Sequence, residues 1–333
     1  ETGKEFDVLG TMPDLPSATL ISDRFEVGRS FCTKLWNAAR FAFINLEGYR
    51  YQKRQLAELS AEDRWILSRL SHTCSAVREQ LERYRPSSAL TTVREFFWGD
   101  LCDWYLELIK PRLAKETASV PDDDCTPGGN EARQTVATVL DGVLRLLHPF
   151  VPFITETLWG KLRELAPERG IASWHLGDAD LLAVASWPIP DVDVEDDALE
   201  TDIDLLREVA RAIRDLRARH GVEARKPLNA VIRSTRDNSS VPRLRPYQKL
   251  LERAAFLESV EFTETGKSPA GSASAVAGDQ EIHLLNIVDV PVERKRLGKQ
   301  REQLQKLITS SQKKLANSGF LSGAADEVVA RER

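Results

Sequence analysis

Apolar residues return every three or four positions through most of the first 165 residues, in blocks closed by proline or glycine. A pattern with that period is satisfied by amphipathic helices and by little else. The first block opens at Ser22, and its stripe is Phe31, Leu35, Ala38, Ala42 and Leu46, with Gly48 placed to end the helix. A second begins at Ser60, where Ser60 and Asp63 fit a capping box, runs through Ile66, Leu70, Cys74, Val77 and Leu81, and stops before Pro86. The third spans about Leu90 to Ile109, with Phe97, Leu101, Trp104 and Leu108 on one face and Pro111 after its end. A polar loop from Pro121 to Asn130 leads to a fourth helix, about Glu131 to Leu147. Pro149 and Pro152 break the chain before a fifth, about Ile154 to Leu165. Five such helices with short or polar connections predict a bundle.

The pattern changes after Trp187-Pro188. Asp191, Asp193, Glu195, Asp196 and Asp197 read as an acidic linker. An arginine-rich helix follows with the stripe Ile203, Leu206, Ala210 and Ile213. Strands are expected over Leu228–Arg233, Ser259–Thr263 and Ile282–Val288, with a helix over about Pro246–Leu257 and a Gly/Ser/Ala loop before the last strand. From Val292 the spacing becomes 7-4-7 at Leu297, Leu304, Ile308 and Leu315, a coiled-coil seam. The seam breaks at Asn317-Ser318-Gly319, and a returning helix is expected from Ala324 to Arg333. The chain opens on Glu1-Thr2-Gly3 without Met and stops within that helix, so both ends read as cut.

The net charge of -5 is against a uniformly nucleic-acid-like surface, so any such face must be local. One is: between Val292 and Lys314 the cations Arg294, Lys295, Arg296, Lys299, Arg301, Lys306, Lys313 and Lys314 face only Glu293 and Glu302, a local charge of +6. Such a helix attracts a phosphate backbone without regard to sequence. A second candidate is the polar side of the first helix, with Arg29, Asn37 and Arg40, and Lys34 to one side. These supply cations for phosphate and an amide for base edges. The bland alternative is that these residues bind neighbouring helices, since Asp100, Asp103 and Glu107 offer internal partners. Trp36 lies near that polar side and could offer a flat group to stack on, but by type Trp36 and Phe43 are expected in the core rather than as platforms. Cys32, Cys74, Cys102 and Cys125 form no CxxC pair, so reduced thiols are expected and no metal site. No apolar run reaches the roughly 18–20 residues of a membrane span, and no residue set suggests catalysis.

Four segments, in order, carry a family resemblance: Gly28-Arg29-Ser30-Phe31-Cys32-Thr33-Lys34-Leu35-Trp36-Asn37-Ala38-Ala39-Arg40-Phe41, Asp63 to Leu70, Phe97-Trp98-Gly99-Asp100-Leu101-Cys102-Asp103-Trp104-Tyr105-Leu106-Glu107, and His148-Pro149-Phe150-Val151-Pro152-Phe153 through Trp159. They resemble the anticodon-binding domain of valyl-tRNA synthetases. The stretch Pro291–Asn317 with Asp326-Glu327-Val328-Val329 resembles the same family's C-terminal coiled coil. The resemblance implies a mainly α fold: a helical-bundle anticodon-binding domain of class I synthetases over 22–187 after a linker (1–21), then a small α+β connector (188–290) and a truncated coiled-coil arm (291–333). It implies tRNA(Val) as partner, with Arg29, Lys34, Asn37 and Arg40 on the anticodon side and Arg294, Lys295, Arg296, Lys299, Lys306, Lys313 and Lys314 on the elbow side. A cytoplasmic location is implied, with no membrane and no DNA. Neither the HIGH-type nor the KMSKS-type motif of the family's catalytic domain occurs, and no glycine-rich loop follows a strand to cradle ATP. ATP and Mg are therefore implied only for a catalytic domain carried elsewhere on the parent chain, with no cofactor here. A stand-alone protein-interaction or scaffold module, or an incomplete gene product, stays open as an alternative.

Overall fold

The computed structural model describes residues 23–113, 129–171, 174, 177, 179–223, 226–234, 240–263, 269, 271–285, 287 and 290–316. The linker expected over 1–21, most of the polar loop before the fourth helix, and the returning helix expected from Ala324 lie outside them. The fold is mainly helical with one small sheet, in two compact units that divide between Asp196 and Asp197.

The first unit contains α1 (Asp23–Asn45), α2 (Ala61–Glu82), α3 (Pro86–Glu95), a π-helical segment (Phe96–Tyr105), α4 (Leu106–Leu113), α5 (Gly129–Leu147) and α6 (Pro152–Leu165). The polar links at their ends fix their directions. Tyr49 reaches the Glu168 carbonyl, Asn130 bonds Arg50, the Ser60 N–H donates to Glu131, and Arg112 pairs with Asp63. The close of α1, start of α2, close of α4, start of α5 and close of α6 thus share one end of the bundle, and successive rods alternate in direction. The buried stripe of α1 is Phe31, Leu35, Ala39, Ala42 and Leu46; Ala39 replaces the expected Ala38, which lies at the edge of the face. Each Leu or Phe buried in this way contributes about 1.5–3 kcal/mol.

Three expectations need correction. The third helix is longer than its apolar stripe suggested: it starts at Pro86, includes Pro111 in its last rod, and widens to π geometry where Phe96, Phe97, Leu101, Cys102, Trp104 and Tyr105 are all buried. Helix α5 has an apolar and a polar side as expected, but both are buried along nearly its whole length; its polar side chains serve neighbouring loops, with Gln134 bonding the Gln52 and Gly170 carbonyls and Arg133 that of Asn45. It also packs close to α2, where a Cβ on Gly142 would come within 2.9 Å of a Leu70 methyl. The capping box at Ser60 does not form. The Ser60 hydroxyl instead donates to Asp63 at 2.8 Å, inside a buried cluster. There Arg112 meets Asp63 at 2.7 Å, Glu131 at 3.2 Å and Glu62 at 3.3 Å, and the Tyr105 hydroxyl donates to the second Asp63 oxygen.

The stretch read as an acidic linker also departs from expectation. The Ser71 hydroxyl bonds Glu195 at 2.8 Å, the Asp191 N–H donates to Ser71 and the Asp196 N–H to Ser68, so the segment lies along α2. The irregular stretch before it is pinned by a second buried cluster. Asp141 bridges Arg145 and Arg169, whose guanidinium carbons lie 4.7 and 4.6 Å from the Trp159 ring centre, and Arg145 donates onward to the Ser186 and Gly177 carbonyls.

The second unit holds α7 (Asp197–Arg219), β1 (Leu228–Ser234), α8 (Val241–Leu244), α9 (Gln248–Ala255), β2 (Leu257–Thr263), β3 (Ala273–Ala277), β4 (Gln280–Leu284) and α10 (Val290–Ala316). The sheet order is β2-β1-β4-β3, with β1 parallel to β2 and antiparallel to β4. The parallel pair needs a crossover, which α8 and α9 provide. Ile203, Leu206, Ala210 and Ile213 of α7 are buried, as the stripe predicts. β3 falls where a loop was expected. It is held by antiparallel pairing to β4 through the Gly278-Asp279 turn, where Gly278 has φ +57°. The last strand is Gln280–Leu284, ending before the expected Val288. In α10, Leu304, Leu307 and Ile308 are exposed, and the side chains of 290–297 lie outside the described ones.

Candidate nucleic-acid interface

The side of α1 away from its buried stripe carries the first group of candidate residues. Arg29, Thr33, Trp36 and Arg40 follow one another at four-, three- and four-residue steps, which stacks them along one strip of a helix. All four are exposed, as is the adjacent Asn37. Thr33 spends its hydroxyl on the Arg29 carbonyl one turn back, which leaves the two guanidinium groups and the indole as the strip's outward chemistry. Trp36 is 48% exposed, contrary to its expected place in the core. It follows Leu35 by one residue and so lies about 100° around the helix from it.

Lys34 occupies the other edge of α1 and is engaged within the bundle. Its ammonium is 3.3 Å from Asp103 and 5.0 Å from the centre of the Trp98 ring. Trp98 belongs to the π-helical segment and is partly exposed. Phe31 packs edge-on against Phe97 just below, with ring centres 5.6 Å apart, and fixes the two rods side by side. The exposed arc of α1 is thereby framed by Trp36 on one side and by Lys34 over Trp98 on the other. The remaining acids of the seam also meet cations: Asp100 pairs with Arg69 at 3.0 Å, and Glu107 with Lys110. Burial pushes the Cys102 thiol up to about 12, so it is held neutral beside Lys34.

The second group lies on α10. Lys299, Arg301, Lys306 and Lys313 are exposed, and Lys306 pairs with Glu302 one turn away at 2.9 Å. The side chains of Arg294, Lys295, Arg296 and Lys314 lie outside the described residues. Among the described residues no group of three or more His, Cys, Asp or Glu is placed to hold a metal, and no helix is long and apolar enough to cross a membrane. Trp98 was missed by sequence reasoning. Its position in an aromatic run, Phe96-Phe97-Trp98, suggests core, whereas one residue past the buried Phe97 it lies well round the helix from that face.

Residues 63–232 match the family described as the anticodon-binding domain of tRNA ligase, and residues 289–333 match the valyl tRNA synthetase tRNA binding arm. The chain belongs to the valyl-tRNA synthetase family. Within that family it is 34% identical over 323 residues to the valine–tRNA ligase of Rhodopirellula baltica, covering 96% of this chain and 30% of that protein. It is 35% identical over 317 residues to the enzyme of Synechocystis sp., covering 93% and 33%, and 37% identical over 312 residues to that of Thermosynechococcus vestitus, covering 92% and 32%. The chain thus spans about a third of the length of the valyl-tRNA synthetases it matches. The anticodon-binding match takes in most of α2 through β1, and the arm match takes in α10.

Proposed function

We propose that this chain is a tRNA-binding part of a valine–tRNA ligase, holding tRNA(Val) at two places. The outward strip of α1 takes the anticodon stem and loop, and the basic α10 takes the elbow. The observation that carries this reading is the Arg29–Trp36–Arg40 strip with Asn37 beside it. Two guanidinium groups for phosphate, an exposed indole for a splayed base and an amide for a base edge are what an unpaired RNA loop requires. α10 contributes attraction to phosphate and not selectivity. The mechanism is positioning: the tRNA is oriented for ATP- and Mg-dependent aminoacylation in a catalytic domain that the longer relatives have room to carry, in the cytoplasm. No step of that chemistry is assigned to residues of this chain.

The test is binding of the chain to valine tRNA and to a non-cognate tRNA, each across a salt titration. Cognate preference, lost on Asn37→Ala/Arg40→Ala with the melting temperature unchanged, supports loop reading by α1. Trp36→Ala should weaken binding by about tenfold, as expected for one stacked base. Equal affinity for both tRNAs, unaffected by changes in α1, would sink the role of the strip.

A further inference from the structure

The turn between α2 and α3 seats an aromatic residue where a helix end ordinarily takes glycine. Helix α2 closes with the Arg85 N–H donating to the Gln80 carbonyl and the Tyr84 N–H to that of Leu81, both at 2.9 Å. This paired pattern requires a left-handed residue between helix and exit. That residue is Tyr84, with φ +57°. A side chain with a Cβ is disfavoured in that conformation, and a bulky one is an outlier. Packing does not compensate, because Tyr84 is 93% exposed.

Over residues 78–85 the cations Arg78, Arg83 and Arg85 face Glu79 and Glu82, a local charge of +1. Arg83 and Arg85 flank Tyr84 and are exposed. The acids of the last turns of α2 are already paired, Glu79 with Arg83 at 2.7 Å and Glu82 with Arg78 at 2.9 Å. Arg85 has no ion-pair partner among the described residues. The turn lies at the end of the bundle opposite the Arg112 cluster, because α2 starts at that cluster and finishes here. A flat ring held free of the fold and a neighbouring unengaged guanidinium match the two chemistries of single-stranded RNA, a base face and a phosphate. An apolar protein partner would not call for the cations.

We propose that Arg83-Tyr84-Arg85 is a second RNA contact of the helical unit, in which the Tyr84 ring stacks on an unpaired base and Arg85 takes an adjacent phosphate. The proposal rests on the tRNA-binding reading above. The experiment is fluorescence-anisotropy binding of the full chain to valine tRNA at fixed salt, with thermal melts alongside, for the parent protein, Tyr84→Gly, Tyr84→Phe and Arg85→Gln. Glycine adopts φ +57° without strain and the Tyr84 side chain is almost wholly exposed, so Tyr84→Gly should melt no lower than the parent. It should bind tRNA about tenfold more weakly, the loss of one stacked base, while Tyr84→Phe binds as the parent does. Arg85→Gln should weaken binding and flatten its salt dependence. Parent-like binding by Tyr84→Gly overturns the inference and leaves the function standing. A lower melting temperature for Tyr84→Gly would assign the ring to packing and also overturn it. A parent chain that binds no tRNA overturns both.

Discussion

Replacing Asp141 with Asn tests whether the loop after α6 is held by charge. The Asp141 carboxylate is the anion between Arg145 and Arg169, and the side chains of all three are at most 5% exposed. Both guanidinium groups also face the buried Trp159 ring. Asn has nearly the shape of Asp but no charge, so the change leaves two buried cations without their shared partner. Breaking a buried pair in this way costs about 3–5 kcal/mol. The lower end applies, because Arg145 keeps the Ser186 and Gly177 carbonyls at 2.7 and 2.6 Å, and Arg169 keeps that of Ala166 at 2.9 Å. A loss of about 3 kcal/mol in a unit of this size lowers the melting temperature by about 6–12 °C. Urea unfolding followed by tryptophan fluorescence reads the loss directly, and added salt should change it little, since buried charges are weakly screened. Adding Arg169→Met should return part of the loss, because it removes one of the two orphaned cations. A single-variant loss below about 1 kcal/mol, or a double variant less stable than Asp141→Asn, would refute the reasoning.

Three further outcomes follow from other features. Burial, with the hydrogen bond and charge of Asp63 behind it, raises the Glu131 carboxyl from 4.5 to about 7 against the opposing Ser60 N–H and Arg112. The folded chain then holds a proton that the unfolded chain has released between those two values. Stability should therefore fall as pH rises from 4.5 to about 7 and level off above. Glu131→Gln should flatten that slope, and an unchanged slope would reject Glu131 as its source. Arg217 donates to the carbonyls of Phe256, Glu223 and Lys226, so Arg217→Met should cost the second unit about 2 kcal/mol. Hydrogen exchange around Val222 and Leu228 should speed up accordingly. Changing Lys299, Arg301, Lys306 and Lys313 to Gln should lower the slope of log affinity for tRNA against log salt by about 3, if each meets a phosphate. An unchanged slope removes α10 from the interface.

The apolar stripes of α1, α2 and α7 were legible because each faces one core across one seam, and a 3.6-residue period then suffices. The exposed positions of Arg29, Asn37 and Arg40 were legible on the same ground, as the side opposite Leu35 and Ala42. What escaped depends on contacts distant in sequence. β3 is Ala-Ser-Ala-Val-Ala, with little strand preference of its own, and exists because β4 offers it a partner. Ser60 gives up its capping role because Arg112 and Glu131 arrive from α4 and α5. The polar residues of α5 suggested a solvent face, whereas they reach loop carbonyls that no local pattern reveals. Residue type misled for Trp36, although its spacing from Leu35 already pointed outward.

The π-helical segment Phe96–Tyr105 has a consequence for chain length. Its wider turns absorb residues that an α-helix would have to distribute along its axis. Tightening the segment to α geometry at unchanged length would turn everything downstream by about 100° for each residue so absorbed. Arg112 would swing away from Asp63 and Glu131, and the Trp104–Leu108 side would rotate off the core. A one-codon loss that removes an absorbed residue should therefore be survivable, because it lets the segment return to α geometry while Arg112, seven residues beyond its end, stays on Asp63 and Glu131.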